Sequence, residues 1–104
     1  MIRVIIEREI AEGLEEYYEA AVVNLLGVLS SAPGYLSGDS LVDMHRPNHY
    51  MVVTRWVNAD AWDRWYVSSE RQRLLDAIRP FLLNNEEKIT MMRQLERPSQ
   101  ALAG

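Results

Sequence analysis

Three tryptophans, Trp56, Trp62 and Trp65, lie within ten positions of this 104-residue sequence. Flat aromatic side chains grouped in this way can form the wall of a pocket that stacks on an aromatic ligand. They can equally form the packed core of a small fold, or half of an interface between two copies. Because Trp62 and Trp65 are three positions apart, they share one face of any helix that contains them.

Three polar side chains could act on a ligand held against these rings. Glu7 could accept a proton if it lies in an apolar setting; otherwise it is a strand-end carboxylate that pairs with Arg55 or Arg93. Arg55 could stabilise an enolate or phenolate, or form an ion pair at an interface. Tyr18 could direct its hydroxyl into a pocket, or bond to a backbone carbonyl in the core.

Metal chemistry has little support in the sequence. His45 and His49 would need a third ligand, and Asp43 is a weak candidate. The absence of cysteine removes disulfides, thiolate nucleophiles, iron–sulfur clusters and cysteine-based zinc sites. We therefore predict no metal site.

Composition excludes several classes of partner. The net charge of −4 and the pI of about 5.1 leave no basic footprint for nucleic acid. We find no apolar run long enough to cross a membrane, and the charged start does not suit a signal peptide. We expect a cytoplasmic protein with one domain, residues 1–96, and a tail, residues 97–104.

Hydrophobic periodicity predicts six elements, of which the second helix is divided into two helical pieces. Asn58 and Ser68 have the positions of N-caps, and Pro80 should kink or shorten the last helical turn. Gly27, inside a helical pattern, suggests close approach of another element. The predicted elements are a strand at 2–9, a helix at 12–31, a hairpin of 35–46 and 49–57 around Pro47 and Asn48, helical pieces at 59–67 and 69–83, and a strand at 87–96.

This order predicts an α+β protein with the ferredoxin-like β-α-β-β-α-β arrangement, in which helices cover one face of an antiparallel sheet. Both faces of strands 49–57 and 87–96 are substantially apolar. Since one helix layer covers one face, the other face needs a second cover. We therefore predict a homodimer that packs sheet against sheet.

Over residues 2–95 the chain resembles the antibiotic biosynthesis monooxygenase superfamily. The resemblance rests on the element order, on "PGY" (33–35) and on "TRWVNADAWDRW" (54–65). Trp56, Asn58, Trp62 and Trp65 match the strand-end tryptophan, the helix cap, the helix aromatic and the second tryptophan of that family. The resemblance implies a dimeric α+β barrel.

It also implies cofactor-independent oxidation of a phenol, quinol or anthrone by molecular oxygen, without metal. The substrate is deprotonated and its anion reduces oxygen, so the site needs a dry aromatic pocket, a proton acceptor and a donor to the anion. On this reading Trp65 and Glu7 are catalytic, and Trp62, Tyr18 and Arg55 bind substrate. The alternative is a dimeric, non-catalytic module that binds a small hydrophobic ligand.

Some members of the superfamily degrade haem, and this chain departs from their pattern. The place of their first-strand asparagine is taken by Glu7, and the place of their iron-binding histidine is taken by Leu75. A leucine cannot bind iron. We therefore do not expect haem degradation.

Overall fold

A computed structural model describes residues 1–95 of the chain. The strands form one antiparallel sheet in the order β2-β3-β1-β4. This architecture confirms the predicted ferredoxin-like α+β fold. The predicted tail lies outside the described residues. The elements are β1 (Ile2–Ile10), α1 (Glu15–Leu29), β2 (Tyr35–Val42), β3 (His49–Trp56), α2 (Ala59–Tyr66), α3 (Ser69–Asp76) and β4 (Leu82–Arg93), with a 3₁₀ turn at Arg79–Phe81.

The sheet has a helix-covered face and an open face. Burial alternates along β1 and β3, as expected for strands whose successive side chains point to opposite sides. We call the side of Val4 and Val52 the helix-covered face, because these residues join the core beneath the helices. We call the side of Ile5 and Val53 the open face, where the side chains are half-buried. The predicted division of apolar residues between two faces of β3 is confirmed.

The helices begin where their caps permit. The Asn58 side chain accepts a hydrogen bond from the amide of Ala61, and Ser68 accepts one from the amide of Arg71, which confirms both predicted N-caps. Helix α1 starts at Glu15, later than predicted, because Gly13 has a φ of +91° and ends a tight turn. Within the described residues, no helix has the length and apolar character needed to cross a membrane.

Two glycines differ from expectation. The prediction of close approach at Gly27 is wrong, because no atom lies within 4 Å of where its Cβ would be. Close approach occurs instead at Gly34, whose φ is +87° and whose added Cβ would lie 2.4 Å from the Ala61 Cβ. The "PGY" stretch therefore needs glycine so that α2 can pack on the turn before β2.

The boundaries after α2 also differ. The predicted helix at 69–83 ends at Asp76, and Pro80 lies in the 3₁₀ turn that follows. The last strand starts at Leu82, five residues before the predicted start, because Leu82 already pairs with Ile10. The sequence predicted a hairpin turn of two residues, whereas the loop between β2 and β3 has six residues, 43–48. This loop is held by the Asp43 carboxylate, which accepts hydrogen bonds from two backbone amides.

Candidate functional site

The tryptophans lie in the core of the protein. Trp56 is fully buried and Trp62 is 3% exposed, and their rings meet edge to face at 5.6 Å. The Trp56 indole N–H donates to Thr54 Oγ1 at 2.9 Å, and that hydroxyl donates to the Val4 carbonyl at 3.1 Å. This chain of bonds satisfies the polar atoms that Trp56 and Thr54 bury. Trp56 and Trp62 therefore act as packing residues in this structure.

Trp65 borders a small groove between the end of α1 and the helix α2. The groove has a volume of about 150 Å³ and is also lined by Pro33, Arg64 and Ser68. Binding sites for small molecules usually enclose about 300–1,000 Å³. Since Trp65 itself is only 6% exposed, little of its indole ring is accessible from the groove.

A larger cavity lies at the end of the sheet where β1 ends and β3 begins. Its volume is about 740 Å³, within the range typical of ligand sites. Leu41, Val42, Met51 and Tyr50 supply apolar wall, while Glu7 lies on the acidic part of the lining.

The floor of this cavity contains a buried ionic cluster. One carboxylate oxygen of Glu87 accepts hydrogen bonds from Arg8 Nε at 3.0 Å and Arg8 Nη2 at 2.9 Å. The other oxygen accepts a hydrogen bond from Arg71 Nη2 at 2.6 Å. Arg8 Nη1 also donates to the Tyr18 hydroxyl at 3.1 Å. Both arginine side chains are at most 5% exposed. One carboxylate thus bonds to two guanidinium groups but balances only one of their two charges, and the cluster retains one positive charge.

Two tyrosines beside the cluster keep their protons. Burial raises the pKa of Tyr18, and the adjacent Arg8 opposes that rise. Burial and a 2.5 Å hydrogen bond to the Glu19 carboxylate raise the pKa of Tyr50. The two rings pack against each other at 4.7 Å. Near neutral pH these hydroxyls can donate a hydrogen bond but cannot act as bases.

The first residues of β4 have an unusual backbone conformation. Asn84 and Asn85 have φ angles of 60° and 54°, a left-handed conformation that asparagine tolerates better than most residues. Both residues line the cavity. The pairing of β1 with β4 changes register here, between Arg8 and Ile10. This irregular stretch bends the strand at the cavity wall and leads into Glu87.

The structure brings few of the predicted site residues together. Glu7 lines the cavity. Tyr18 does not line it but is hydrogen-bonded to Arg8, which does. Trp62 and Trp65 pack in the core, away from this lining. Arg55 projects from the open face, where its Nη2 contacts the Met1 sulfur at 3.0 Å. The proposed partners of Glu7 also differ: its carboxylate lies 3.9 Å from Lys88, rather than against Arg55 or Arg93.

The ionic cluster of Arg8, Arg71 and Glu87 was not predicted from the sequence. The position of Arg8 could have been predicted. It lies an even number of residues from Val4, Ile6 and Ile10, so its side chain points to the same buried face of β1. A charged residue at a core position requires a partner. The sequence has no comparable signal for Glu87, because its position depends on the bulge in β4.

His45 lies in the loop 43–48, whereas His49 begins β3. The Asp43 carboxylate accepts the backbone amide of His45, which lowers its pKa, and the Arg46 side chain lowers it further. His49 Nε2 lies 2.8 Å from Glu9. Within residues 1–95, we find no group of three or more histidine or acidic side chains arranged to hold a metal ion.

Comparison with known families now identifies the class. The model of the family described as antibiotic biosynthesis monooxygenase matches residues 1–77. The match spans more than half of the chain, and the protein belongs to this family. A search among curated proteins gave no significant match.

Solved structures agree on the fold. A proposed antibiotic biosynthesis monooxygenase from Deinococcus radiodurans is 16% identical, with a TM-score of 0.85 over 96% of this chain and 98% of that one. SnoaB, a cofactor-independent oxygenase from Streptomyces nogalater, is 14% identical, with a TM-score of 0.80 over 95% and 98% of the two chains. At these identities the likeness concerns the fold.

Proposed function

We propose that the protein is a cofactor-independent monooxygenase that oxidises a small aromatic substrate of the phenol, quinol or anthrone type with molecular oxygen. Membership of the family supports the reaction class. The observation that carries the proposal is the cavity of about 740 Å³, which combines apolar walls with a carboxylate and a buried cationic cluster. The substrate and oxygen would meet in this cavity rather than in the groove beside Trp65.

The chemistry requires a proton acceptor first. Glu7 is our candidate, because its carboxylate borders the cavity and its nearest cation, Lys88, is 3.9 Å away and exposed. Loss of one proton from a phenol or an anthrone gives an electron-rich anion that can reduce oxygen. One oxygen atom enters the product as a quinone carbonyl, and the other leaves as water.

The cationic cluster can favour the anion. Its surplus positive charge is fixed beneath the cavity by Arg8, Arg71 and Glu87, in a region with little water. Charges held in place before the reaction stabilise negative charge as it develops. Tyr50 adds an aromatic ring to the cavity wall, and Tyr18 packs behind that ring.

A homodimer is part of the proposal. The open face carries half-buried apolar side chains, among them Ile5 and Val53, on a sheet whose other face is covered by helices. A second sheet packed on this face would remove them from water. It would also border the cavity, because Glu7 and Met51 belong both to the open face and to the cavity lining.

The experiment is oxygen uptake by metal-free protein with a panel of anthrones, naphthols and hydroquinones. We expect uptake above the uncatalysed rate and release of a quinone that contains one atom from ¹⁸O₂. Glu7→Gln should lower the rate by about 10²–10⁴-fold. Glu16→Gln is the matched control, because Glu16 is exposed on α1, remote from the cavity lining. Trp65→Phe should change the rate little.

The alternative of a non-catalytic binding module predicts a different pattern. Titration calorimetry would then show binding of members of the panel, with no oxygen consumed above the uncatalysed rate. That result would overturn the oxygenase proposal. Full activity in Glu7→Gln would instead remove Glu7 as the base, and a loss of activity in Trp65→Phe would return the site to the groove beside α2.

A further inference from the structure

The buried ionic cluster is not electrically balanced. Arg8 and Arg71 share the single carboxylate of Glu87, and both arginine side chains are almost fully buried. Within residues 1–95, no second carboxylate forms an ion pair with either arginine. Tyr18 accepts a hydrogen bond from Arg8, but burial raises the pKa of its hydroxyl, which stays neutral near pH 7. One buried positive charge of the described chain therefore lacks a counter-ion.

This surplus charge faces the cavity. A buried charge without a counter-ion costs free energy, because it has lost its hydration and gained no partner. Arg8 and Glu87 both line the cavity, so an anion bound there would lie beside the cluster. Three of the five N–H donors of Arg8 form hydrogen bonds within residues 1–95, which leaves two for a ligand.

Arg71 supplies the surplus charge although it does not line the cavity. Its Nη2 donates to one oxygen of Glu87, and Arg8 donates to the other. The Arg71 Cζ atom also lies 4.7 Å from the centre of the Tyr66 ring and 5.9 Å from that of Trp62. Aromatic rings attract a cation at such distances, so these contacts hold Arg71 against Glu87. With Glu87 shared in this way, the charge of Arg8 is only partly balanced.

The other charged side chains of the cavity lining are solvated. Three pairs of them are 27% to 76% exposed: Asp43 with Arg46, Glu9 with His49, and Glu7 with Lys88. Glu86 is exposed as well. Water and salt screen such charges, whereas buried charges act through a lower dielectric. The buried cluster therefore decides which ionisation state of a ligand is favoured, although the lining contains more carboxylates than cations.

We infer that the cavity is a binding site for the ionised form of a phenolic ligand, and that Arg71 is the positioning residue that creates this preference from behind Glu87. A phenolate oxygen beside Arg8 would supply the missing negative charge, while Leu41 and Val42 of the cavity wall would contact the ring. Charges fixed in advance stabilise an anion without rearrangement. The choice of a phenol rests on the proposed function, whereas the charge imbalance does not.

The first test measures the binding of 4-nitrophenol under nitrogen, where no oxidation can occur. Its phenolate absorbs visible light, so titration of the absorbance gives the pKa of the free and of the bound probe. We expect the phenolate to bind at least about tenfold more tightly than the phenol, which lowers the pKa of the bound probe by about one unit. Nitrobenzene, which has no ionisable group, measures any effect of titrating the protein itself, such as His49. Equal affinity for both forms, or no binding, would overturn the inference.

Two substitutions that break the same ion pair should change this preference in opposite directions. Arg71→Gln leaves one arginine with one carboxylate, so most of the preference for the phenolate should be lost. Glu87→Gln leaves two guanidinium groups without a counter-ion, so the preference should increase. Damage to the fold would weaken the binding of phenol, phenolate and nitrobenzene alike. A change in the same direction in both variants would therefore overturn the inference.

Arg71→Lys separates charge from contact geometry, and it decides the question if circular dichroism shows that Glu87→Gln does not fold. It should keep most of the preference for the phenolate, whereas Arg71→Gln loses it. Arg73→Gln, exposed on the same helix, is the matched control and should behave as the unaltered protein. Equal losses in Arg71→Lys and Arg71→Gln would show that the contacts of the guanidinium matter rather than its charge, and would contradict the inference. Because the readout is binding without oxygen, it is independent of any oxygenase activity.

Discussion

The two faces of the sheet use charge differently. On the helix-covered face, Arg8 meets Glu87 on the neighbouring strand, and both are largely buried. One position later on β4, Lys88 stands opposite Glu7 on the open face, at 3.9 Å and with its side chain 76% exposed. The same pair of strands thus holds one ion pair in the core and another at the surface.

The difference shows how burial decides the value of an ion pair. The buried cluster has lost its hydration, so each of its charges depends on the others. The surface pair is solvated and screened, and pairs of this kind contribute about 0–1 kcal/mol. Neighbouring positions on one strand can therefore differ severalfold in their contribution to stability, because their side chains point to opposite faces.

The largest predicted effect is in the buried cluster. Glu87→Gln leaves Arg8 and Arg71 buried without their shared counter-charge, and we expect a loss of about 3–5 kcal/mol in the free energy of unfolding. Lys88→Gln, one position away on the open face, should change it by no more than about 0.5 kcal/mol. Urea unfolding followed by circular dichroism measures both. Equal losses would show that the two faces do not differ in this way.

A second prediction compares two valines of β3. Val52 is 1% exposed beneath the helices, whereas Val53 is half-buried on the open face. Val52→Ala should cost about 2 kcal/mol at any protein concentration, because it removes two buried carbon atoms and leaves a cavity.

Val53→Ala should cost less than about 1 kcal/mol in the dissociated subunit, where the side chain keeps contact with water. Its cost should increase with protein concentration if a second copy covers the open face. Urea unfolding of both variants at two protein concentrations separates these effects. A cost for Val53→Ala that is large and independent of concentration would contradict the division into two faces.

Most of the fold could be predicted from the sequence, because it depends on local patterns. The period of the apolar residues was enough for the element order and the fold, because Val4 and Ile6 of β1, or Val52 and Trp56 of β3, repeat every second residue. The N-caps at Asn58 and Ser68 are equally local, so they were predicted correctly. Strand β4 was harder, because its early start depends on the left-handed pair Asn84 and Asn85 and on a long-range pairing with Ile10.

The candidate site was less predictable than the fold. Three tryptophans close together in sequence suggested a pocket. Large apolar side chains are equally suited to the core, where Trp56 is fully buried. The cavity instead forms where the ends of β1, β3 and β4 meet. Its key contact, Arg8 with Glu87, joins residues 79 positions apart, and periodicity within a single segment contains no information about such a pair.

The smallest predicted effect concerns tyrosines of the helix-covered face at alkaline pH. Burial and the Glu19 carboxylate raise the pKa of Tyr50 above its ordinary value of 10.0. Above about pH 10 the unfolded chain therefore loses a proton that the folded chain retains. The free energy of unfolding should fall with rising pH, by up to about 1.4 kcal/mol per pH unit for one such group. Below this range both states are protonated and the pKa difference has no effect.

Tyr50→Phe should remove one group's share of this slope. It should also cost about 1 kcal/mol near neutral pH, through loss of the hydrogen bond to Glu19. Tyr17→Phe is the control, because its ring is 64% exposed. Urea unfolding between about pH 8 and pH 11 gives the slopes. If Tyr50→Phe and Tyr17→Phe reduce the alkaline slope equally, the Tyr50 hydroxyl is not held beneath the helices. Tyrosine ionisation then does not distinguish the helix-covered face from the open face.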